Sequence, residues 1–574
     1  MKKLCILSAM IIALGGCAAS QAPAGEADTV LTNGKIYTVD PQRPWVEAVA
    51  IKDGKFIFVG DAADAERFRS GKTKVIDLEG RMAMPGLNDL HVHPVEGFAV
   101  QMYQCVFPET YTPDDIARKV TDCVADNPDA EWIVGGQWET DFFLKHDIKS
   151  PREWLDKVSA GKAVFLRDSS FHNRWANSKA LALAGIDKNT PDVDGGEIVR
   201  DAETGEPNGL LYERAADLVE AVIPGWTPKQ YRRAAEETVK AANRFGLTGL
   251  KDAATSASQL RAYKEVERAG GLNVHVATSI LVDPMFSKEK GLNIEAFNRL
   301  REENRGENLN TDFAKIVLDG VPSASRTAAM LENYTPVHPG DRGVNGLLIF
   351  SPDEMKALIA ELDHDGVTVK THAAGDRSVR VTLDAIEYAR EQNGDSGLRH
   401  EIAHAGYVDP ADIPRFVQLD AVAEVSPYIW FPSIKTESIV RAVGGERGEH
   451  YWPLKDMLEA GVNVVAGSDW PAGALPDMNP WIGIEGLVSR RNPWGAFPGV
   501  LWEEQAIPLE EVLKIYTKNG ARALKLGNVS GSIETGKLAD MIVLDRNLFE
   551  TPVDDISDTQ VDLTLFEGKI VYER

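Results

Sequence analysis

The sequence predicts an α/β fold: a (β/α)8, TIM-like barrel with a small β-sandwich domain built from both chain ends and an inserted subdomain after the first barrel strand. Three observations predict it. Eight apolar, strand-like runs alternate with amphipathic helical stretches through the middle of the chain. β-branched runs with turn signals stand at both ends. A long stretch rich in Trp, Pro and Gly separates the first barrel run from the second.

The eight runs are "AMPGLNDLHVH", "GLTGLKDA", "NVHVATSIL", "DFAKIVLDG", "VTVKTHAAG", "LRHEIAHAG", "AVAEVSP" and "NVVAGSDWP". Strands buried on both faces and alternating with helices, such as "PDEMKALIAELDHDG" at 352–366, form a parallel sheet. Eight of them close a barrel, assigned here to residues 84–530, with the insertion at about 98–215. At the start, "TVLTNGKIYTV" and "WVEAVAIKDGKFIFVG" hold Asn-Gly and Asp-Gly turns and read as hairpins. The C-terminus repeats the style in "ADMIVLDRN" and "LTLFEGKIVYER". Residues 28–83 and 531–574 therefore make one composite β domain. A chain of 574 residues, 43% apolar, is long enough for a large barrel with accessory parts.

The formal charge of −25 argues against nucleic acid and against a polybasic membrane patch. Lys2 and Lys3 precede the apolar run "LCILSAMIIALGG", which stops at Cys17. A bilayer takes ~20 residues, so this run has the shape of a signal peptide, residues 1–16, and not of a membrane span. "LGGC" resembles a bacterial lipobox. That resemblance implies cleavage before Cys17, lipidation of its thiol, and an exported, periplasm-facing lipoprotein whose only membrane contact is the anchor. The alternative is an ordinary signal peptide cut near "CAAS". Residues 17–27, small and polar, read as a tether.

Residues 400–404, "HEIAH", match HExxH, which on a helix grips zinc through both histidines with the glutamate as base. The context denies the helix: "NGDSG" lies upstream, and Gly406 and Pro410 lie downstream. Glu424, a candidate third ligand for that reading, falls inside the seventh strand run. On a strand, His400 and His404 share a face four residues, ~13 Å, apart, too far to hold one metal. Only His404, nearer the C-terminal end, reaches the barrel mouth where active sites sit. His400 is left to packing or a supporting hydrogen bond.

Other candidates sit at the same end of their strands. His91 and His93 alternate in "NDLHVHP", His372 ends the fifth run, and Asp469 ends the eighth. Lys315 lies inside the apolar fourth run, where a lysine is costly unless paired or modified. No Cys-rich zinc motif exists, so histidine and carboxylate must supply any metal ligands. Asp469 has a bland reading too, as a turn or N-cap residue.

Together these residues resemble the amidohydrolase superfamily, and more narrowly amidohydrolase family 3, the branch containing N-substituted formamide deformylases. Further matches are "GGQWET", "NSKALALAGI", "GGEIVRD", "GEPNGLLYE", "SRTAAM", "HAAGDRSV", "RHEIAHAG", "GSDWP" and "GSIETGKLADMIVLD", which span nearly the whole mature chain. The resemblance implies a metallo-hydrolase barrel in which His91, His93, Lys315, His372, His404 and Asp469 surround one or two divalent ions, zinc foremost. It also implies a carboxylated Lys315 that bridges two metals; a mononuclear centre with plain Lys315 is the alternative. After that lysine the family usually reads Asp-Gly-Ser-Leu-Gly-Ser-Arg-Thr-Ala, whereas this chain has "DGVPSASRTA", so the substrate pocket differs.

Imidazole and carboxylate ligands suit zinc and its neighbours, and a bound divalent ion lowers the pKa of water to ~7. Asp469 then serves as general base and acid. The expected reaction is cleavage of a non-peptide C–N bond, amide or N-formyl, in a small molecule. Two alternatives stand: hydrolysis of cyclic amides, lactones or peptide-like bonds, and a non-catalytic, metal-bearing binding lipoprotein. Trp138, His172, Arg326 and Tyr428 are expected on loops over the mouth as substrate contacts, and their aromatic character points to an apolar substituent. The sequence leaves a homo-oligomer open.

Two cysteines, Cys105 and Cys123, survive in the mature chain. Thr112 and Pro113 mark a helix start between them, which returns Cys123 alongside the run that Cys105 ends. In an oxidising compartment such thiols pair; two buried free cysteines are the alternative.

Overall fold

The computed structural model describes residues 25–282, 294–336, 343–429, 431–472 and 476–574. The expected leader, lipidation site and most of the tether lie outside these residues. The tether ends earlier than expected: Ala27 is already buried, and its N–H donates to the Phe68 carbonyl at 2.9 Å.

Eight parallel strands form the central sheet. They are β1 (Leu87–Val92), β2 (Leu247–Thr255), β3 (His275–Leu281), β4 (Leu309–Val317), β5 (Thr368–Ala373), β6 (Glu401–His404), β7 (Val422–Val425) and β8 (Asn463–Ala466). Each lies within one of the eight apolar runs or overlaps it. β8 returns to β1, where Asp469 N–H donates to the His91 carbonyl at 2.6 Å and Ser468 N–H donates to Asp89 at 3.0 Å. A Cβ on Gly467 would stand 2.2 Å from the His91 nitrogen, so this seam admits only glycine. Helices cover the barrel. Pro352–His364, for example, starts with a capping box in which Ser351 and Glu354 satisfy each other's backbone N–H groups.

Both chain ends meet in two sheets. One joins Lys55–Gly60, Ala48–Lys52, Thr29–Thr32 and Lys74–Asp77; the other joins Lys569–Glu573, Val561–Phe566, Met541–Leu544, Met82–Pro85, Lys35–Tyr37 and Trp45–Val46. Leu31, Ile36, Val49, Phe56, Met541 and Leu565 pack in one apolar core between them. Asp53-Gly54 makes the hairpin turn with φ of 49° and 78°, as its two-residue loop requires.

Between β1 and β2 stands a third sheet, from Cys105–Val106 through Trp132–Trp138, Ala163–Asp168, Asn173–Ala176 and Pro207–Glu213 to Gly196–Arg200. The helix Pro113–Asp126 packs on it, with Thr112 as cap and Pro113 in its first turn. Cys105 and Cys123 are joined by a disulfide, with Cα atoms 5.9 Å apart. Closing an eighteen-residue span stabilises by ~3 kcal/mol on the chain-entropy estimate. Cys105→Ser/Cys123→Ser protein is therefore expected to lose ~3 kcal/mol in denaturant unfolding while kcat stays unchanged. Two reactive thiols in denatured, unreduced wild type would reject the bond.

The structure corrects three readings here. Trp138 is not on a loop: it ends a strand, is 2% exposed, and packs against Phe143 and Trp175 in the insertion core. Tyr428 is buried with Phe431 and Ile482 beneath the Pro480–Ser489 helix, and its hydroxyl donates to the Asn479 carbonyl. His400 and His404 do not share a face. His400 turns to the helix layer, bonding Asp363 at 3.0 Å and accepting Val369 N–H at 3.0 Å, while Glu401 points into the barrel. At His404 and Ala405 φ becomes 70° and 40°, which breaks the two-residue alternation and swings the His404 ring into the mouth. HEIAH is thus a barrel strand and its end.

Candidate metal centre

The C-terminal ends of four barrel strands, β1, β4, β5 and β6, with the segment after β8, bring the expected residues together. The Asp469 carboxylate is the hub: one oxygen lies 3.3 Å from His93 Nε2 and 3.5 Å from His91 Nε2, the other 4.0 Å from His404 Nδ1. Ring centroids step from His93 to His91 (5.3 Å), His91 to His404 (4.7 Å) and His404 to His372 (4.4 Å). His91, His404 and Asp469 each offer a ligand atom within 4.8 Å of the others. Asp469 itself has φ of 56°, an unfavourable conformation for a non-glycine residue that tends to mark functional sites.

The electrostatics suit a cation. Burial, aided by Lys315 and Lys370, holds the His91 pKa well below its ordinary value. Burial does the same for His372, with His172 next, and for His404, with His372 next. These rings are neutral and keep lone pairs for a metal. His91 Nδ1 bonds the buried Glu424 carboxylate, which fixes the tautomer and leaves Nε2 toward Asp469. His372 Nε2 lies 3.1 Å from the Gly320 carbonyl, the acceptor that orients this second ring.

Lys315 lines the same cavity, and its Nζ makes no hydrogen bond to the described residues. Burial and then Lys370 lower its pKa to about 8. Lys370, two strand positions before His372, is the opposite case. Its ammonium donates to the Leu90 carbonyl at 2.7 Å and to Glu424 at 2.8 Å, and pairs with Glu401 at 3.2 Å. Burial opposes that charge, but Glu424 and Glu401 outweigh it and raise the Lys370 pKa. Lys251 closes the row by pairing with Glu401. A ladder of alternating charge, Lys251–Glu401–Lys370–Glu424, therefore fills the barrel interior and ends on His91. Breaking such a buried pair costs ~3–5 kcal/mol. Sequence reading missed the two lysines and Glu401, and took Glu424 only as a rival ligand; their signal was charge inside otherwise apolar strand runs.

A cavity of about 510 Å³ rises from the centre. His172 lines it, with its ring 5.1 Å from that of His372. Trp132, Phe165, Phe171, Trp226 and Tyr231 form its aromatic walls. Trp138, Arg326 and Tyr428 are not in the wall. Arg326 is spent on backbone, donating to the carbonyls of Thr335 at 3.1 Å and Ala324 at 2.8 Å. Val321, Pro322 and Ser323, from the loop after β4 that departs from the family pattern, do line the cavity.

A parallel barrel that gathers neutral histidines, an aspartate and a lysine without a hydrogen-bond partner among the described residues at its mouth defines a metal-dependent hydrolase. The chain belongs to the amidohydrolase family, whose model matches residues 74–572. It is 30% identical to protein LONG AFTER FAR-RED 3 of Arabidopsis thaliana, over 96% of this chain and 92% of that protein. It is 29% identical to N-substituted formamide deformylase of Arthrobacter pascens, over 95% of this chain and 98% of that protein. A metal-dependent hydrolase from Pyrococcus furiosus superposes with a TM-score of 0.66 at 25% identity, covering 90% of this chain and 99% of that one. The protein is thus an amidohydrolase, a hydrolase of carbon–nitrogen bonds.

Proposed function

We propose that this enzyme cleaves the amide or N-formyl bond of a small molecule that has an apolar or aromatic substituent. The observation that carries this is Asp469, set among His91, His93 and His404 at the floor of an aromatic-walled cavity. The donor set fits a divalent transition ion: the neutral rings of His91, His372 and His404, the His93 ring, the Asp469 carboxylate, and Lys315 once carboxylated. Zinc is the first candidate. One or two such ions would supply Lewis acidity to the substrate carbonyl and a water of pKa ~7.

The chain's own groups do the rest. Asp469 takes a proton from the attacking water as its oxygen bonds to the carbonyl carbon. The same carboxyl then gives that proton to the nitrogen as the C–N bond breaks. Glu424 and Gly320 keep the His91 and His372 rings in place, and the cavity walls hold the substituent out of water. Relatedness to an N-substituted formamide deformylase supports the choice of bond. The test is a screen of amides, N-formyl amines, esters and lactones with metal-analysed protein. Turnover of lactones alone, or of nothing, would reject the assignment.

The leader supports a location. We propose that Cys17 is lipidated and anchors the enzyme at a membrane facing the periplasm, with a small-molecule amide as its partner and no nucleic acid. Cells fed labelled palmitate should label the wild type and not a Cys17→Ala variant; label in both would reject the anchor.

A further inference from the structure

The cavity has an outer end, and two elements measure how far it lies from the metal centre. The helix Pro94–Tyr103 starts at the residue after His93, and its residues Glu96 and Tyr103 both line the cavity. At ~1.5 Å per residue, Tyr103 stands ~15 Å along that helix from His93. The strand Trp132–Trp138 gives the second measure. Near its end Gln137 Nε2 donates to the carbonyl of Pro471, just past Asp469, at 2.9 Å, whereas Val134 and Trp132 line the cavity further back. At ~3.3 Å per residue, Trp132 is ~17 Å along the strand from Gln137. Both measures put the outer end ~15 Å from the reacting atoms, well beyond the reach of a formyl group or one ring.

Apolar surface gathers at that distance. Trp132 and Ile223 are partly buried at the edge of the insertion core, and Trp226 and Tyr231 are partly buried at the edge of the barrel core. All four line the cavity, so two cores leave apolar edges on one shared gap. Phe165, paired with Val134, carries this surface inward. The charges along the way are already matched. Arg167 bonds Gln104, lies 3.5 Å from Glu96 and sets its guanidinium carbon 4.8 Å over the Phe171 ring. Arg174 is taken by Glu220, at 3.0 and 2.9 Å. Glu131, exposed, adds a negative charge at the outer end. An anionic tail would meet two paired arginines and this carboxylate, whereas an apolar tail would meet aromatic rings.

Resting on the hydrolase reading above, we propose that the outer end of the cavity is a subsite for the apolar end of an elongated substrate, with Trp132 and Trp226 as specificity-determining residues. The substrate class is an amide or N-formyl amine whose apolar end stands ~10–15 Å from the scissile carbonyl, on a chain of ~8–12 bonds at ~1.2 Å each. The chain passes Phe171 and Phe165 and leaves the reacting atoms at Asp469. Contacts made so far from the breaking bond are the same in the ground state and the transition state, so they raise kcat/KM and not kcat.

The experiment measures kcat/KM for two homologous series on metal-loaded wild type. In ω-phenylalkanoyl anilides the chain is on the acyl side; in N-formyl-ω-phenylalkylamines it is on nitrogen. In one of the two, kcat/KM should rise ~2-fold per added methylene, within the ~4-fold that full burial allows. The rise should level off at ~8–10 methylenes, where the chain reaches the outer end. Replacing the terminal phenyl with a carboxylate should cost ~10-fold or more. Trp132→Ala and Trp226→Ala, which remove the walls, and Val134→Trp, which fills the gap, should each lower the ratio of long-chain to short-chain kcat/KM by ~10-fold. A misfolded fraction cancels from that ratio. Calorimetric binding of ω-phenylalkyl methyl ketones, which have no C–N bond, reads the subsite without turnover: Kd should fall with chain length in wild type and much less in Trp226→Ala. A kcat/KM and Kd that ignore length, a preference for the carboxylate-ended chain, or unchanged ratios in all three variants would each overturn the subsite. Turnover of short amides with no gain from length would overturn this inference and leave the hydrolase reading standing. A Kd that falls with length in protein that cleaves no amide would keep the subsite and reject the choice of bond.

Discussion

Asp469→Asn protein should keep its metal and lose ~10²–10⁴-fold in kcat, whereas His91→Ala or His93→Ala should lose the metal itself. The difference lies in what each group can give. Asn retains a carbonyl oxygen at the position 3.3 Å from His93 and 3.5 Å from His91, so it still presents a lone pair. It cannot accept the proton that the attacking water must release. Its amide also cannot return a proton to the leaving nitrogen. The two histidines have only lone pairs to offer: His91 is held by the Glu424 bond behind it, and His93, two residues further on, stands 3.3 Å from Asp469. Metal analysis beside turnover separates the cases. Wild-type turnover in Asp469→Asn would remove Asp469 from proton transfer, and metal retained at full affinity in both histidine variants would move the centre elsewhere.

The barrel was legible because its strands are buried on both faces and read as uninterrupted apolar runs, punctuated by the helices between them. Residues at the C-terminal ends of those runs were legible for a related reason: a His-x-His or an Asp has no packing role where an apolar strand meets the mouth. What sequence could not give is pairing across the barrel. His91 and Glu424 are 333 positions apart, and Lys251 and Glu401 are 150 apart, so no local pattern links them. The same limit explains the misplaced contacts. Trp138 and Tyr428 carry the residue type of a substrate wall, but alternation along one strand and a turn in the chain send both into cores. His404 was placed correctly for an incomplete reason, since a left-handed turn and not strand alternation aims it.

Lys315→Ala should abolish measurable turnover, and millimolar formate, acetate or propionate should restore part of it. The contrast between two buried lysines motivates this. Lys370 spends its ammonium on a carbonyl and two carboxylates and is needed as a cation. Lys315, on the neighbouring strand β4, makes no hydrogen bond to the described residues yet faces the centre. A bare ammonium there would be desolvated and repelled by any bound cation. Carboxylation removes both problems: Nζ sheds one proton to become a neutral amine, bonds to the carbon of carbon dioxide, gives up a second proton, and becomes an anion that fits among the imidazoles. A short carboxylate added to the Ala variant fills the same space with the same charge, whereas a neutral amide of equal size should not. Restoration should therefore follow the acid and not its amide. Intact mass of native protein should show the added carbon dioxide and its loss on acidification. Active, metal-loaded protein whose Lys315 is a plain amine would overturn the bridge and leave a centre held by the histidines and Asp469.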